Sequence, residues 1–443
     1  MATYKYTIKN YHAIKEADIT LDGITVLSGV NGCGKSTLSR WLYYIINGSA
    51  NYDENLFKDY QNDMYHLLNR IIFAFKDIDR SKKISNGEDD NLLQKVFLLA
   101  KRLKEFQYSS DNAIDNVYAL FNHAIVIVGK FISDVFPLLS KPKKARILSF
   151  LRMDVDEEDC DYYNLFVQKY QFISNNHYNK LTKDLKNRPI QLFYYHIDYY
   201  DGDTPKYINL EEDGVEVLNN TRVYNIFNLR NAIYVDTPVS VTANDNENPF
   251  WKSLHEMMLA DNKKDLSFEM KVLLRRIENL MGGVTYVEED EILEDKTLRF
   301  RSSDNEINID LSNVATGFKT LAYLQRLLEN GYLNENTLLM IDEPEAHLHP
   351  QWIVDFAKLL VLLNKTLGLK IMLASHNPDM VAAIQAIASR EGVSEYTNFY
   401  VAKPDAETPH QYVYKHLGTD VSEIFESFNI AIDSIRCYGD VCD

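Results

Sequence analysis

Apolar residues fall into two rhythms along this chain. Tyr4, Tyr6 and Ile8 alternate with polar neighbours and Ile14 to Leu21 alternates again, which predicts paired strands over residues 3–22. Ile24, Val26 and Leu27 then form a short apolar run of the kind used by a strand covered on both faces. Helical spacing follows from Ser36 to Ile46, with Asn47-Gly48-Ser49 as the expected stop. From residue 51 to about 185 the helical rhythm dominates, as in Leu92, Val96, Leu99 and Leu103 and then Ile114, Val117, Leu120 and Phe121. Pro137 and Pro142 punctuate this stretch, and no a/d pattern persists long enough for a coiled-coil arm, so a compact helical insertion is expected.

Residues 190–240 read as strands, with Asp213-Gly214 as a hairpin turn and Asn231 to Val235 rejoining the central sheet. The aromatic run Phe193-Tyr194-Tyr195, with Tyr199-Tyr200, fits strand packing better than base stacking. Leu266 to Met281 is a strongly amphipathic helix ended by Gly282-Gly283, and Val284 to Leu311 holds three short strand-like runs. Leu338 to Ile341 and Ile371 to Ala374 are two further buried-strand runs. The pattern predicts an α/β fold in which residues 1–50 and 225–443 form one mixed-sheet unit, interrupted by a mainly helical insertion over 51–224.

Composition changes this picture little. A chain of 443 residues, 46% hydrophobic and 25% charged, has room for two or three domains with an ordinary core. Its net charge of −17 argues against a protein that coats nucleic acid with its whole surface, though not against a local basic groove. Basic clusters occur in the insertion: Arg80, Lys82 and Lys83; Lys101, Arg102 and Lys104; and Lys141, Lys143, Lys144 and Arg146. A solvated helix face is the first reading of each, and nucleic-acid contact the second. Asp154 to Asp161 lacks the glycine that a calcium loop requires at its sixth position and reads as an exposed acidic turn. The N-terminus has no apolar signal region, and no run approaches the ~18 apolar residues of a membrane span, so a cytoplasmic protein without a membrane partner is expected. Four cysteines make no disulfide framework; Cys437 and Cys442 read as incidental thiols.

The chemistry sits between these elements. Gly29-Val30-Asn31-Gly32-Cys33-Gly34-Lys35-Ser36, followed by Thr37, matches the phosphate-loop pattern GxxxxGK[ST]. A chain of this length meets that pattern by chance about once or twice in a hundred, and here it has the required strand before it and helix after it. Glycines let successive N–H groups turn inward, and the helix adds the positive end of its dipole, making an anion nest. Lys35 is expected to reach the β- and γ-phosphates of ATP, and Ser36 to put its hydroxyl on Mg²⁺. The run ending in Asp342-Glu343 supplies a metal-facing carboxylate and, next to it, a proton acceptor for the attacking water. His376, at the end of the other run, is placed to contact the γ-phosphate or orient the water. Leu311 to Lys319, a small-residue turn opening a helix, is a second anion site. One γ-phosphate cannot sit against both helix ends of one subunit if each faces outward, so a two-fold dimer enclosing two nucleotides is expected.

In this order the motifs GVNGCGKST, VATGFKTL, LLMIDEPEAHLHPQW and LASHNPD resemble the ABC-type ATPases of the SMC, RecF and OLD (overcoming-lysogenisation-defect) group. They are similar in particular to the bacterial anti-phage ATPases such as OLD, Septu and PARIS. The likeness covers residues ~3–48 and ~230–400 and leaves the insertion aside. It implies an ABC-ATPase head in which Gly29 to Thr37 is Walker A, Asp342 the Walker B aspartate, Glu343 the catalytic glutamate and His376 the switch histidine, with Glu345 to Pro350 in the dimer-contacting D-loop. It also implies that ATP joins two heads, Gly317 and its neighbours completing the partner's site. The family's signature serine is replaced by Ala315 and a commonly polar position by Phe318, which leaves Thr316 and Lys319 as candidates for the missing γ-phosphate contact. Tyr234-Val235-Asp236-Thr237 is the candidate for the lid segment, and His347 and His349 belong to the motif rather than to a metal pair. OLD proteins carry a C-terminal TOPRIM nuclease; the 67 residues after His376 hold no such spaced acidic cluster, so a separate effector protein is expected. Two roles follow: a DNA- or phage-sensing motor whose insertion touches nucleic acid, or an ATP-dependent scaffold that holds and releases an effector without DNA.

Overall fold

The computed structural model describes residues 2–79, 90–153, 161–197, 203–236, 249–261, 266–290 and 295–426. It divides into two compact units, one made of residues 1–50 with 190–443 and the other of residues 51–189.

The first unit begins with β1 (Tyr4–Tyr11) and β2 (Ile14–Leu21), an antiparallel hairpin, then β3 (Ile24–Ser28) and α1 (Lys35–Ala50). All five residues of β3 are buried, as its unalternating sequence requires. α1 runs beyond the expected stop at Asn47-Gly48-Ser49. Asn47 uses its side chain to bond the backbone N–H and C=O of Ala232, each at 2.9 Å, and so pins the helix to a strand instead of ending it. Gly48 lacks a side chain for packing reasons: a Cβ there would lie 2.5 Å from the Phe193 ring.

The second unit is helical: α2 (Tyr52–Asp79), α3 (Asp90–Leu103), α4 (Ala113–Val135), α5 (Lys141–Phe150) and α6 (Tyr162–Asn187). Phe121, Ile125 and Ile132 of α4 and Phe166 and Tyr170 of α6 are buried in it, and Gly129 allows close approach of Val167, whose Cγ2 would lie 2.6 Å from a Cβ. Among the described residues Ala113–Leu138 alone is long and apolar enough to cross a membrane, and half of its most apolar window is buried inside the unit. Lys101 and Arg102 sit in the last turn of α3, where the helix dipole favours them, and Lys104 lies over the Tyr65 ring at 4.4 Å. Arg80, Lys82, Lys83 and the acidic stretch 154–160 lie outside the described residues, while Asp161 caps α6 through the N–H of Asn164.

The chain then returns to the first unit earlier than residue 224. Residues 190–195 form α7 (Ile190–Tyr195), not a strand, and Phe193 is buried against Gly48 of α1; Tyr199, Tyr200, Cys437 and Cys442 are outside the described residues. β4 (Tyr207–Glu212) and β5 (Val215–Leu218) form the expected hairpin, and Asp213 and Gly214 both take positive φ (49° and 78°), the primed turn that suits strand twist. β4 pairs with β1, which places 207–218 in the sheet rather than in the insertion. Next come β6 (Asn231–Val235), α8 (Pro249–Leu259) and α9 (Phe268–Met281), the last ended by Gly282 at φ 64°. β7 (Gly283–Asp290), β8 (Asp295–Ser302) and β9 (Asn308–Asp310) make a separate three-stranded antiparallel sheet. α10 (Thr316–Glu329), β10 (Thr337–Asp342), α11 (Pro350–Leu367), β11 (Lys370–Ser375), α12 (Pro378–Glu391), β12 (Thr397–Pro404) and β13 (Tyr412–Gly418) complete the fold.

The main sheet has ten strands in the order β5-β4-β1-β2-β13-β12-β3-β11-β10-β6. From β12 to β6 all five are parallel, and β3, β10 and β11 are buried along their whole length. Leu27, Ala374 and Asp342 pair across one row, so the carboxyl ends of β3, β11 and β10 finish together. This is an α/β fold with a mixed sheet around a phosphate-loop core.

Gly48→Ala offers a sharp test of the α1 packing. Helix propensity alone would make the alanine about 1 kcal/mol better, whereas overpacking against buried Phe193 costs about 1–3 kcal/mol. The variant is expected to melt below the wild type by circular dichroism; a rise in Tm would contradict the packing described.

Candidate functional site

The phosphate loop spans the turn between β3 and α1. Gly32 and Gly34 have φ of 81° and 98°, which side-chain-bearing residues rarely adopt, and a Cβ on Gly34 would lie 2.8 Å from Ile14 Cγ1. Cys33 is buried beneath the loop, and its carbonyl accepts from Tyr414 Oη of β13 at 3.2 Å. Lys35 is 8% exposed, and its Nζ donates to the carbonyls of Gly29 (2.8 Å) and Val30 (3.1 Å). The ammonium thus bonds to the loop that its sequence makes for phosphate.

A cleft of about 380 Å³ opens over this loop, lined by Asn31, Gly32, Gly34, Lys35, Ser36, Thr37, Asp342, Glu343 and Ala374, with His12 and Ala13 from the β1–β2 turn. Asp342 is 2% exposed at the end of β10. Its Oδ1 accepts from Ser39 Oγ (3.0 Å) and its Oδ2 from Tyr234 Oη (2.8 Å), and Ser36 also bonds to it. Burial beside Asp342 and Asp236 pushes the Tyr234 hydroxyl well above 10, so it stays protonated as the donor. Arg40 of α1 pairs with Asp236 at 2.9 Å and ties the end of β6 to the phosphate-loop helix. A buried carboxylate beside a serine hydroxyl and an anion nest fits a hydrated Mg²⁺ held against phosphate.

Glu343 follows in the left-handed region at φ 49°, its N–H bonded to Ala374 O at 2.8 Å and its side chain 43% exposed toward the cleft residues. His376 Nδ1 lies 3.6 Å from Oε1 of Glu343 and 3.6 Å from Oε1 of Glu345. Asn377 caps α12 through the N–H groups of Asp379 and Met380, which fixes the turn that carries the histidine. His349 caps α11 through Gln351 N, and His347 has φ 62°.

Thr316, Gly317 and Lys319 are not among the residues lining this cleft. Gly317 packs on its own chain's 343–349 loop, where a Cβ would meet Leu348 Cδ2 at 2.9 Å and His347 O at 3.0 Å. Lys319 Nζ is bonded to Ser312 O at 2.7 Å, and Ala315 gives α10 no side-chain cap. The structure therefore brings the phosphate loop, Asp342 and Glu343 together in one cleft, sets His376 beside Glu343 though outside the cleft lining, and packs the α10 start against the 343–349 loop rather than in the cleft.

Residues 1–381 match the family described as AAA ATPase domain. This chain belongs to that family. Over 150 residues it is 29% identical to the Old nuclease of Escherichia phage P2, a stretch covering 32% of this chain and 25% of that protein. The chain thus spans about a quarter of the length of the curated relative it matches. Both matches accord with the resemblance to P-loop ATPases of the SMC and OLD group drawn from the four motifs. Among solved structures the chain is similar to the SMC head domain from Thermotoga maritima (TM-score 0.37, 11% identity, 94% of this chain and 99% of that one). It is also similar to the Pyrococcus furiosus Smc head domain with an extended coiled coil bound to the C-terminal domain of ScpA (TM-score 0.33, 11% identity, 98% and 100%).

Sequence reasoning passed over His12, Ser39, Arg40, Tyr234 as a partner of Asp342, and Tyr414. His12, Tyr234 and Tyr414 reach the site from a turn or strand remote in the chain, while Ser39 and Arg40 lie on α1 just past the phosphate-loop pattern, which does not include them.

Burial also pushes the Asp342 carboxyl up, against hydrogen bonds from Ser36, Tyr234 and Ser39 that pull it down. A folded-state pKa above the unfolded one means that the group's contribution to stability is complete below about pH 3.9 and is lost as pH rises through the folded value. Asp342→Asn is therefore expected to gain Tm relative to the wild type as pH rises above about 4, without nucleotide or metal. A flat or falling difference in scanning calorimetry would contradict this.

Proposed function

We propose that the protein is an ATP-hydrolysing, nucleotide-gated homodimer of the SMC and OLD type. The observation that carries this reading is the cleft in which Lys35, Ser36, Asp342 and Glu343 converge. On ATP binding, Lys35 exchanges the carbonyls of Gly29 and Val30 for the β- and γ-phosphates, with loop N–H groups and the start of α1 taking the remaining charge. Ser36 and Asp342 would hold Mg²⁺, and bound Mg²⁺ supplies neutralisation of charge developing on the phosphate oxygens. Glu343 accepts a proton from the attacking water, and His376 orients the water or contacts the γ-phosphate. Positioning and electrostatics account for most of such a reaction.

The place of Thr316, Gly317 and Lys319 outside their own cleft supports completion of each site by a second copy, the α10 start of one facing the phosphate loop of the other. With ATP as its substrate the protein acts in the cytoplasm. The motif resemblance to OLD-type anti-phage ATPases suggests a part in anti-phage defence or DNA maintenance, as the sensor or motor of a system whose effector is a separate protein. The exposed Lys101, Arg102, Lys141, Lys143 and Arg146 of the helical unit are the residues through which DNA would be touched. The net charge of −17 favours the second reading, an ATP-dependent scaffold that sequesters and releases its effector without DNA.

Lys35→Ala is expected to weaken ATP binding by roughly a hundredfold or more. Glu343→Gln should keep wild-type affinity and lose roughly two to four orders of magnitude in turnover. Equal turnover in wild type and Glu343→Gln would remove Glu343 from this role. On sizing chromatography, Glu343→Gln with ATP should elute as a dimer and without ATP as a smaller species; one unchanged elution volume under both conditions, at the monomer position, would defeat the dimer.

A further inference from the structure

The carboxylate behind His376 has no part in the reading above. Glu345 is 6% exposed, and its side chain is 4% exposed at the base of the 343–349 loop. Its Oε1 accepts from Ser375 Oγ at 3.0 Å and from the backbone N–H of His376 at 3.2 Å. Its Oε2 is buried and has no hydrogen-bond partner, and the same holds for Nδ1 of His376.

These facts suit a functional group better than a stabilising one. A buried carboxylate oxygen left unpartnered costs free energy that an apolar side chain would not. Burial accordingly pushes the Glu345 carboxyl up, while its bonds to Ser375 and His376 pull it down. The functional group beside the carboxylate is the histidine. Two bonds fix Glu345 to the strand end that carries His376, and its charged oxygen stands 3.6 Å from the ring nitrogen. The His376 side chain is 44% exposed although Nδ1 is buried, so the open side of the ring is the far edge, the one carrying Nε2. On its other side the same Nδ1 faces Glu343, again at 3.6 Å. The loop is also held from within, by bonds from Ala346 N to Glu343 O (2.8 Å) and from Leu348 N to Glu345 O (3.0 Å). It carries two residues in the left-handed region, Glu343 and His347. Such a loop keeps its shape only while its anchors hold.

We propose that Glu345 is a positioning residue that sets the orientation of the His376 ring, directing Nδ1 inward and leaving Nε2 on the open side of the ring during turnover. The proposal rests on the reading of His376 as part of the hydrolytic site. At 3.6 Å the carboxylate is beyond hydrogen-bond reach of Nδ1, and it acts on the ring through its charge, which favours the tautomer protonated at Nδ1 and disfavours turning that nitrogen away.

Glu345→Gln keeps the size and the acceptor oxygen and removes the charge. In the full-length protein it should lower kcat by roughly ten- to a hundredfold, leave the dissociation constant for ATP within about twofold, and leave Tm unchanged or higher. In a His376→Ala background the same substitution should cause no further loss. Ser375→Ala, which frees one of the two anchors, should lower kcat less and likewise have no effect without the histidine. Unchanged kcat in Glu345→Gln, a fall in kcat matched by a fall in Tm and ATP affinity, or an equal further loss on top of His376→Ala would each overturn the proposal. If His376→Ala itself turns over at the wild-type rate, the reading of the site fails and this inference with it. If His376→Ala is slow and Glu345→Gln is not, only this inference fails.

Discussion

Parallel pairing of β3, β11 and β10 is the constraint on which the rest of this structure depends. Parallel strands connected by crossovers end on the same edge of the sheet, and ligands of such sheets gather at that edge. Here the row Leu27, Ala374 and Asp342 brings three strand ends level. The residues that follow each end are the phosphate loop, Ser375-His376 and Glu343. Groups more than 300 positions apart in the sequence, such as Lys35 and Asp342, thereby share a cleft. A slip of one residue in β10 would turn Asp342 to the opposite face and leave the loop without its carboxylate.

The site is held as much by hydroxyls as by its charges. Ser36, Ser39 and Tyr234 surround Asp342, Ser375 supports Glu345, and Tyr414 closes the underside of the phosphate loop at Cys33. Hydroxyl donors pull the carboxyls of Asp342 and Glu345 back toward the charged form that burial disfavours. The tyrosine and serine groups come from α1, β6, β11 and β13, and each therefore ties another element to the same few atoms.

What could be read in the sequence was what is local. The phosphate loop, the Asp213-Gly214 turn, the glycine after Met281 and the wholly apolar runs of β3, β10 and β11 each declare themselves within a few residues. Where expectation and structure part, the deciding contact is distant. Gly48 looks like a helix stop until Phe193 is seen packed against it, and Asn47 looks like turn chemistry until it is found bonded to Ala232. Residues 190–195, expected as a strand, form a helix that seats Phe193 in that contact, and pairing with β1 draws 207–218 into the sheet. Tyr234 is an ordinary strand aromatic in the sequence, and only the strand order sets it beside Asp342.

The position of β3 in the sheet bears on how the chain is made. Its neighbours are β11 and β12, residues 370–404, and the floor of its loop comes from Tyr414. On the ribosome this five-residue apolar strand emerges early and waits for most of the polypeptide before either edge is paired. Long-range parallel closure of this kind is slow, and uncovered strand edges invite misassociation. The strand that carries the phosphate loop is therefore among the first made and, by its pairing, among the last to be covered.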